Sequence, residues 1–381
     1  MDVVVTGIGL VSSLGTLEST WSQLLAGQSG IRRCQPFPDL PAYPLGLIGS
    51  TPADLEDLTR QVVTAAIADA GLSPPLPDCA VVIGSSRGQQ RRWEAIARAF
   101  PHAALSSDTW LGSLPHAAAA TAAHLLGTQA AVRSPMAACA TGLWAIAQAY
   151  DLVQSGEYRQ VLAGAVEAPI TPLTLTGFQQ MGALATTGAY PFDRDREGLV
   201  LGEGGAVLLL ETADSAQQRG ARIYGQIRGA GLSADAHHVS APNPNRRAAI
   251  AAVRQCLTRS HLTPAAIDFI HAHGTATRLN DQQEADLIQA IFPAQVPVSS
   301  TKGATGHTIG ASGALGVAIS LFALHHQRLP PTVGLTHPAV PLNFVRATRP
   351  IARSPLHTAL CLGFGFGGQN AAIALATAPF S

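Results

Sequence analysis

The chain repeats itself. VVVTGIGLVSS near the start is echoed by IYGQIRGAGLSADA from Ile223, and AVVIGSSRG from Ala80 by IDFIHAHGTAT from Ile267. VRSPMAACATGLWAIA from Val132 is echoed by VSSTKGATGHTIGASGALGVAI from Val298, and VLAGAVEAP from Val161 by ALCLGFGFGG from Ala359. Four echoes in one order restrict the chain to two similar halves joined near residues 212–222, and we divide it as 1–219 and 220–381. Within each half, runs rich in Val, Ile and Leu alternate with Ala-rich helical stretches, the pattern of an α/β layered fold. The repeat also places residues. Cys139 and His307 fall in equivalent strand-to-helix turns, and His273 and Phe366 in turns that end neighbouring strands. Ligands of such sheets bind at the carboxyl ends of the strands, so all four are expected at one cleft.

Composition excludes several classes. The 381 residues are 47% hydrophobic and 13% charged, enough to bury a large core and far from a disordered chain. No apolar run approaches the roughly 20 residues of a membrane span. The opening MDVVVTGIGLVSS has no basic n-region and reads as a strand, so no signal peptide is expected. A start at Met1 just before that strand and an end at Ser381 favour a discrete protein over an excised domain. Formal charge is zero, with no basic run beyond pairs such as Arg32-Arg33, which argues against nucleic-acid binding. Five scattered cysteines without a CxxC pair suit a reduced, cytoplasmic compartment and disfavour a structural zinc. Lys302 is the only lysine; every other one of the 24 Lys and Arg residues is arginine. A compact ammonium fits where a planar guanidinium fork does not.

Four motifs carry chemistry. In SPMAACATGLW, small residues flank Cys139 and a helical stretch follows it. A thiol at a helix N-terminus is favoured as thiolate, so a lowered pKa is expected, and neighbouring N–H groups offer part of an oxyanion hole. The alternative is a buried cysteine acting as a small hydrophobe. In HAHGTAT, His271 and His273 lie two apart, with Asp281 and Glu284 close enough to keep a metal pair in view. An imidazole donor at His273 beside the hydroxyls of Thr275 and Thr277 suits an acyl thioester on an amide-bearing arm. In SSTKGATGHTIGASG, Lys302 precedes the glycines, so the stretch is not a phosphate-binding P-loop. Lys302 and His307 read as an electrostatic pair beside the thiol. GFGFGG around Phe366 lacks the long helix and acidic residue of a dinucleotide site, and Gly7-Ile-Gly9 lacks a third glycine. A rival is Gly84-Ser-Ser86-Arg-Gly88, a GxSxG match that makes Ser86 a hydrolase nucleophile.

These residues resemble the β-ketoacyl-acyl-carrier-protein synthases of the thiolase superfamily, the elongating class above all. The likeness runs through VVVTGIGLVSSLG, AACATG, GFQQMGALAT, PFDRDREGLVLGEGG, SADAHHVSAP, HGTATRLNDQQE, STKGATGHTIGASG and GFGFGGQN. It implies a thiolase-like fold, with two βαβαβαββ halves in αβαβα layers, and decarboxylative Claisen condensation without a metal or redox cofactor. Cys139 then takes the acyl group from the phosphopantetheine of acyl carrier protein. His273 and His307 promote malonyl decarboxylation, and Lys302 is paired with Glu284 and supported by Asp281. Thr275 and Thr277 hold the pantetheine arm. The N–H groups of Cys139 and Phe366 form the oxyanion hole, with Phe366 gating the acyl pocket. A homodimer is implied, and a chain-length-controlling partner subunit of a heterodimer is the alternative role. The chain departs from the family's pattern with GSSRGQQRR for a glycine-rich turn, a shortened segment near 85–125, His271, Ser240, Gln369, and Gly316 where a glutamate is common.

Overall fold

The computed structural model describes residues 1–99, 106–346 and 355–378, with the backbone of 349 and 350; the segment near 85–125 thus includes 100–105, outside the described residues. In the first half, β1 (Val3–Ser12) leads to α1 (Leu55–Asp69), β2 (Ala80–Gly84), α2 (Ala117–Leu126), β3 (Val132–Arg133), α3 (Thr141–Gln154), β4 (Gln160–Glu167), α4 (Pro172–Gln180) and β5 (Gly204–Thr212). In the second, β6 (Gly225–Ala234) leads to α5 (Arg247–Arg259), β7 (Phe269–His271), α6 (Arg278–Ile291), β8 (Pro297–Ser299), α7 (Ser312–His326), β9 (Thr358–Gly365) and β10 (Gln369–Ala376). The strands order as β3-β2-β4-β5-β1 and β8-β7-β9-β10-β6, the same pattern twice, and the two sets join where β1 pairs antiparallel with β6. In each set the three outer strands are parallel and the last two antiparallel. All four sequence echoes therefore fall on equivalent strands and turns.

Three apolar clusters define the layers. The central one joins α3 and α7 to the inner faces of both strand sets, while α1 and α2 cover the outer face of the first and α5 covers that of the second with α6. The residues of α7 are buried from Ser312 to Leu324, with no polar stripe, because it packs against the inner faces of both strand sets. The window Ile309–His326 is long and apolar enough to cross a membrane by composition, yet 89% of it is buried inside the protein. Such packing needs glycine at close approaches. A Cβ at Gly9 would fall 1.9 Å from the Val62 carbonyl oxygen of α1, and one at Gly231 1.9 Å from the Ala252 oxygen of α5. The opening glycines thus serve helix packing, and the same device recurs in the second half. Polar caps fix helix starts: the Asp54 carboxylate accepts from Glu56 N at 2.8 Å to begin α1.

Candidate active site

Cys139 sits in a single 3-10 turn, Ala138–Ala140, ahead of α3, with Ala138 at a φ of 48°. The equivalent turn of the second half, Ile309–Ala311, precedes α7, with Ile309 at a φ of 42°. His307 lies just before it, its backbone pinned by N–H donation to the Val200 oxygen at 2.7 Å and by Gly202 N donating back at 3.0 Å. That contact explains the GLVLGEGG segment: it holds one catalytic candidate from behind. His273 follows β7, its N–H donated to a Glu284 oxygen at 2.6 Å and that of Gly274 to the other at 2.8 Å. The result is a tight cluster. The Cys139 sulfur and one ring nitrogen from each of His273 and His307 all lie within 4.8 Å of one another.

Electrostatics set the protonation states. The sequence led to a lowered thiol pKa, and the structure reverses this. Burial pushes Cys139 up to about 11, outweighing the Lys302 ammonium, the Phe366 N–H that points at the sulfur, and Arg87. One helix end cannot repay the loss of water around a buried thiolate. Burial and the Lys302 charge hold His273 and His307 well below the usual histidine range, so both imidazoles are neutral. His307 Nδ1 lies 2.8 Å from the Ser312 hydroxyl, which leaves Nε2 for the cluster.

Lys302 is buried and its ammonium donates to the His273 carbonyl. Burial lowers it to about 8, partly offset by the field of Glu284. The expected Lys302–Glu284 pair is not a direct one: among the described residues no carboxylate lies within 4.0 Å of the Lys302 ammonium. The Glu284 carboxylate is occupied by the backbone of the His273 turn instead, and burial raises it to about 7. Asp281 adds its field to that of Glu284 at Lys302 and also holds a second neighbour. It accepts the Phe192 N–H at 2.7 Å and faces Arg196 at 3.8 Å, anchoring the PFDRDREG loop to α6.

A cavity of about 380 Å³ opens onto this cluster, lined by Cys139, His273, His307, Thr275, Thr277 and Phe366 among others. The Thr275 and Thr277 hydroxyls lie 2.9 Å apart, and Thr277 caps α6. Phe366 packs against Phe178 with ring centroids 6.1 Å apart. Its turn approaches the nucleophile so closely that a Cβ at Gly365 would fall 2.6 Å from the Ala137 oxygen and 3.1 Å from Cys139 N. Cys139, His273 and His307 offer donor atoms that a zinc-like cation accepts, but the buried Lys302 ammonium beside them opposes a dication. A second group, Asp193, Asp195 and His337, is no better: Asp193 already accepts the N–H groups of Asp195, Thr336 and His337.

The structure also supplies a residue that sequence reading passed over. Glu167, at the buried end of β4, accepts from Ser85 Oγ at 2.7 Å, Ser86 N at 2.8 Å, Arg87 N at 2.9 Å and Gly310 N at 2.9 Å. It ties the GSSRG turn to the turn just after His307. A carboxylate ending an apolar strand, VLAGAVE, was the available signal. Ser86 is therefore part of a structural turn. Among the described residues no hydrogen bond joins it to a histidine, which removes the basis for a hydrolase elbow.

Comparison with known proteins agrees over nearly the whole chain. Residues 54–216 match the sequence model described as "Beta-ketoacyl synthase, N-terminal domain", and residues 224–336 match "Beta-ketoacyl synthase, C-terminal domain". The chain is 34% identical to 3-oxoacyl-[acyl-carrier-protein] synthase 2 of Mycobacterium tuberculosis, covering 98% of this chain and 96% of that protein. It is 31% identical to the mitochondrial 3-oxoacyl-[acyl-carrier-protein] synthase of Arabidopsis thaliana, with 98% and 93% covered. Among solved structures it is similar to the ishigamide ketosynthase/chain length factor, with a TM-score of 0.91, 28% identity and 99% of both chains covered. A structure of a type II PKS acyl-carrier protein in complex with its ketosynthase bound to the hexaketide matches with a TM-score of 0.91 and 25% identity over 99% of both chains.

Proposed function

The chain belongs to the β-ketoacyl synthase family, and from that premise we propose how its own residues perform the condensation. It is a condensing enzyme of the 3-oxoacyl-[acyl-carrier-protein] synthase type. The observation that carries the assignment of residues is the meeting of the Cys139 sulfur with two neutral imidazoles at the floor of a cavity. The first half, 1–219, brings the nucleophile and the second, 220–381, the histidines and the lysine; the break between matched stretches 54–216 and 224–336 supports that division.

Substrates arrive on the phosphopantetheine of acyl carrier protein, whose arm occupies the cavity past Thr275 and Thr277. No redox cofactor takes part. In the first half-reaction the Cys139 thiol passes its proton to a neutral imidazole as the sulfur attacks the acyl carbonyl. The oxyanion rests on the N–H groups of Cys139 and Phe366. The carrier thiolate leaves and takes that proton, and the acyl group remains on Cys139. Malonyl-carrier protein then enters. Its carboxylate departs as CO2, and the electron pair of the broken C–C bond passes to the α-carbon as an enolate. His273 and His307 donate to the enolate oxygen, and the Lys302 ammonium adds its field. The α-carbon attacks the acyl-Cys139 carbonyl, the C–S bond breaks to release the Cys139 thiolate, and the β-ketoacyl product leaves on its carrier while the thiolate takes a proton from solvent.

The assembly is a dimer of ketosynthase chains, and five free thiols suit a reducing, cytoplasmic compartment. The test is a condensation assay with acyl- and malonyl-carrier proteins. Stoichiometric CO2 and β-ketoacyl product from the chain alone support the homodimer; product only when a second ketosynthase is added assigns it to a heterodimer. No product under either condition sinks the reading.

A further inference from the structure

His271 is buried and takes no part in the condensation steps. It ends β7, two residues before His273, and its Nε2 lies 3.3 Å from the Thr301 hydroxyl. Thr301 immediately precedes Lys302, whose ammonium donates to the His273 carbonyl. The ring also lies against α7. A Cβ at Gly316 would fall 2.8 Å from both Cε1 and Nδ1 of His271, so no side chain fits at 316 while the imidazole is there. One turn earlier on the same helix, Ser312 holds His307 Nδ1 at 2.8 Å. A single ring is thus wedged among three segments that carry His273, Lys302 and His307. Burial and the Lys302 charge push its pKa down to about 3, so it fills this space without adding a second cation.

We infer that His271 is a positioning residue, a neutral wedge that sets the spacing of His273, Lys302 and His307, and that position 316 is glycine to admit it. The inference rests on the condensing-enzyme reading. A core histidine that only stabilised the fold would alter stability and leave the two half-reactions equally fast. A wedge acts most strongly on the half-reaction that needs both histidines and the lysine in register, and far less on transfer to Cys139, which needs one imidazole as proton acceptor.

A double-mutant cycle separates these cases. His271→Asn and Gly316→Ala are each expected to lower condensation kcat by about 10–100-fold, as small misplacements of catalytic groups do. KM for malonyl-carrier protein and the rate of Cys139 acylation should stay within about twofold of wild type. In the double variant the 316 methyl enters space that the smaller carboxamide vacates, so the two losses do not multiply. His271→Gln, whose amide still reaches Thr301, should recover part of the rate. Wild-type kcat in both single variants overturns the inference, as do losses that multiply or that fall equally on acylation and condensation. If Gly316→Ala alone fails to fold, a folded double variant still shows the fit of 271 to 316, and a double variant that also fails rejects it. Wild-type protein without a Cys139 acyl adduct would sink the functional reading instead, which keeps the two failures distinct.

Discussion

Replacing Lys302 by methionine should stabilise the fold while disabling the enzyme. Burial lowers this ammonium from 10.5 to about 8, with no carboxylate among the described residues within 4.0 Å to hold it. At about 1.4 kcal/mol per pH unit, that fall means roughly 3 kcal/mol of cost to the folded state. Loss of the hydrogen bond to the His273 carbonyl offsets about 1 kcal/mol, so Lys302→Met should gain about 2 kcal/mol near pH 7. The pH dependence follows from the same shift. Below pH 8 both folded and unfolded chains carry the proton and the full cost is present. Between about 8 and 10.5 the unfolded chain keeps a proton that the folded chain has shed, so wild-type stability rises with pH and the variant's lead closes. Glu284, no longer held down by that charge, moves above about 7 in the variant. Urea unfolding of both proteins from pH 7 to 10 measures the lead, and a condensation assay measures the loss, expected at about 10²–10³-fold for a group that stabilises developing negative charge. A variant less stable than wild type at pH 7, or a lead that does not shrink toward pH 10, refutes the reasoning.

Wild-type condensation should decline as pH rises through about 8, where Lys302 loses its charge; a kcat/KM profile flat to pH 9.5 would contradict this. Glu167→Gln turns one accepting oxygen into a donor facing backbone N–H groups, at a cost of about 2–4 kcal/mol read as a drop in urea midpoint. Condensation should fall with it, since Gly310 lies three residues after His307; unchanged stability and rate would count against the clamp. Gly365→Ala puts a methyl 2.6 Å from the Ala137 oxygen and should slow Cys139 acylation by about 10-fold or more, as stopped-flow or quench-flow mass measurement would show.

Much of the fold and of the site is legible in the amino-acid sequence. The four echoes fall on equivalent strands of a sheet order that repeats, because each echo marks a strand end where small residues and a helix start must recur. Cys139, His273, His307 and Lys302 do converge, as topology required. What stayed hidden depends on solvent and on distances across the fold. Helix-dipole reasoning pointed to an acidic thiol at Cys139, and only burial revealed the opposite direction. Lys302 and Glu284 act on each other through their fields rather than in direct contact, because that carboxylate is spent on two backbone N–H groups, which sequence cannot assign. His271 and Gly316 stand out separately as departures, and packing makes them one feature. Glu167 carries no motif, since its partners come from two distant turns.

The central claim, that Cys139 carries the acyl chain, is tested most directly by intact-protein mass spectrometry after incubation with a series of acyl-carrier proteins. Wild type and Ser86→Ala should gain one acyl mass each, Cys139→Ala none, and the chain length taken up best would show which acyl groups the pocket admits. An adduct that persists in Cys139→Ala would contradict the account and return Ser86 to consideration, and no adduct in wild type with any donor would assign the chain to a partner-subunit role.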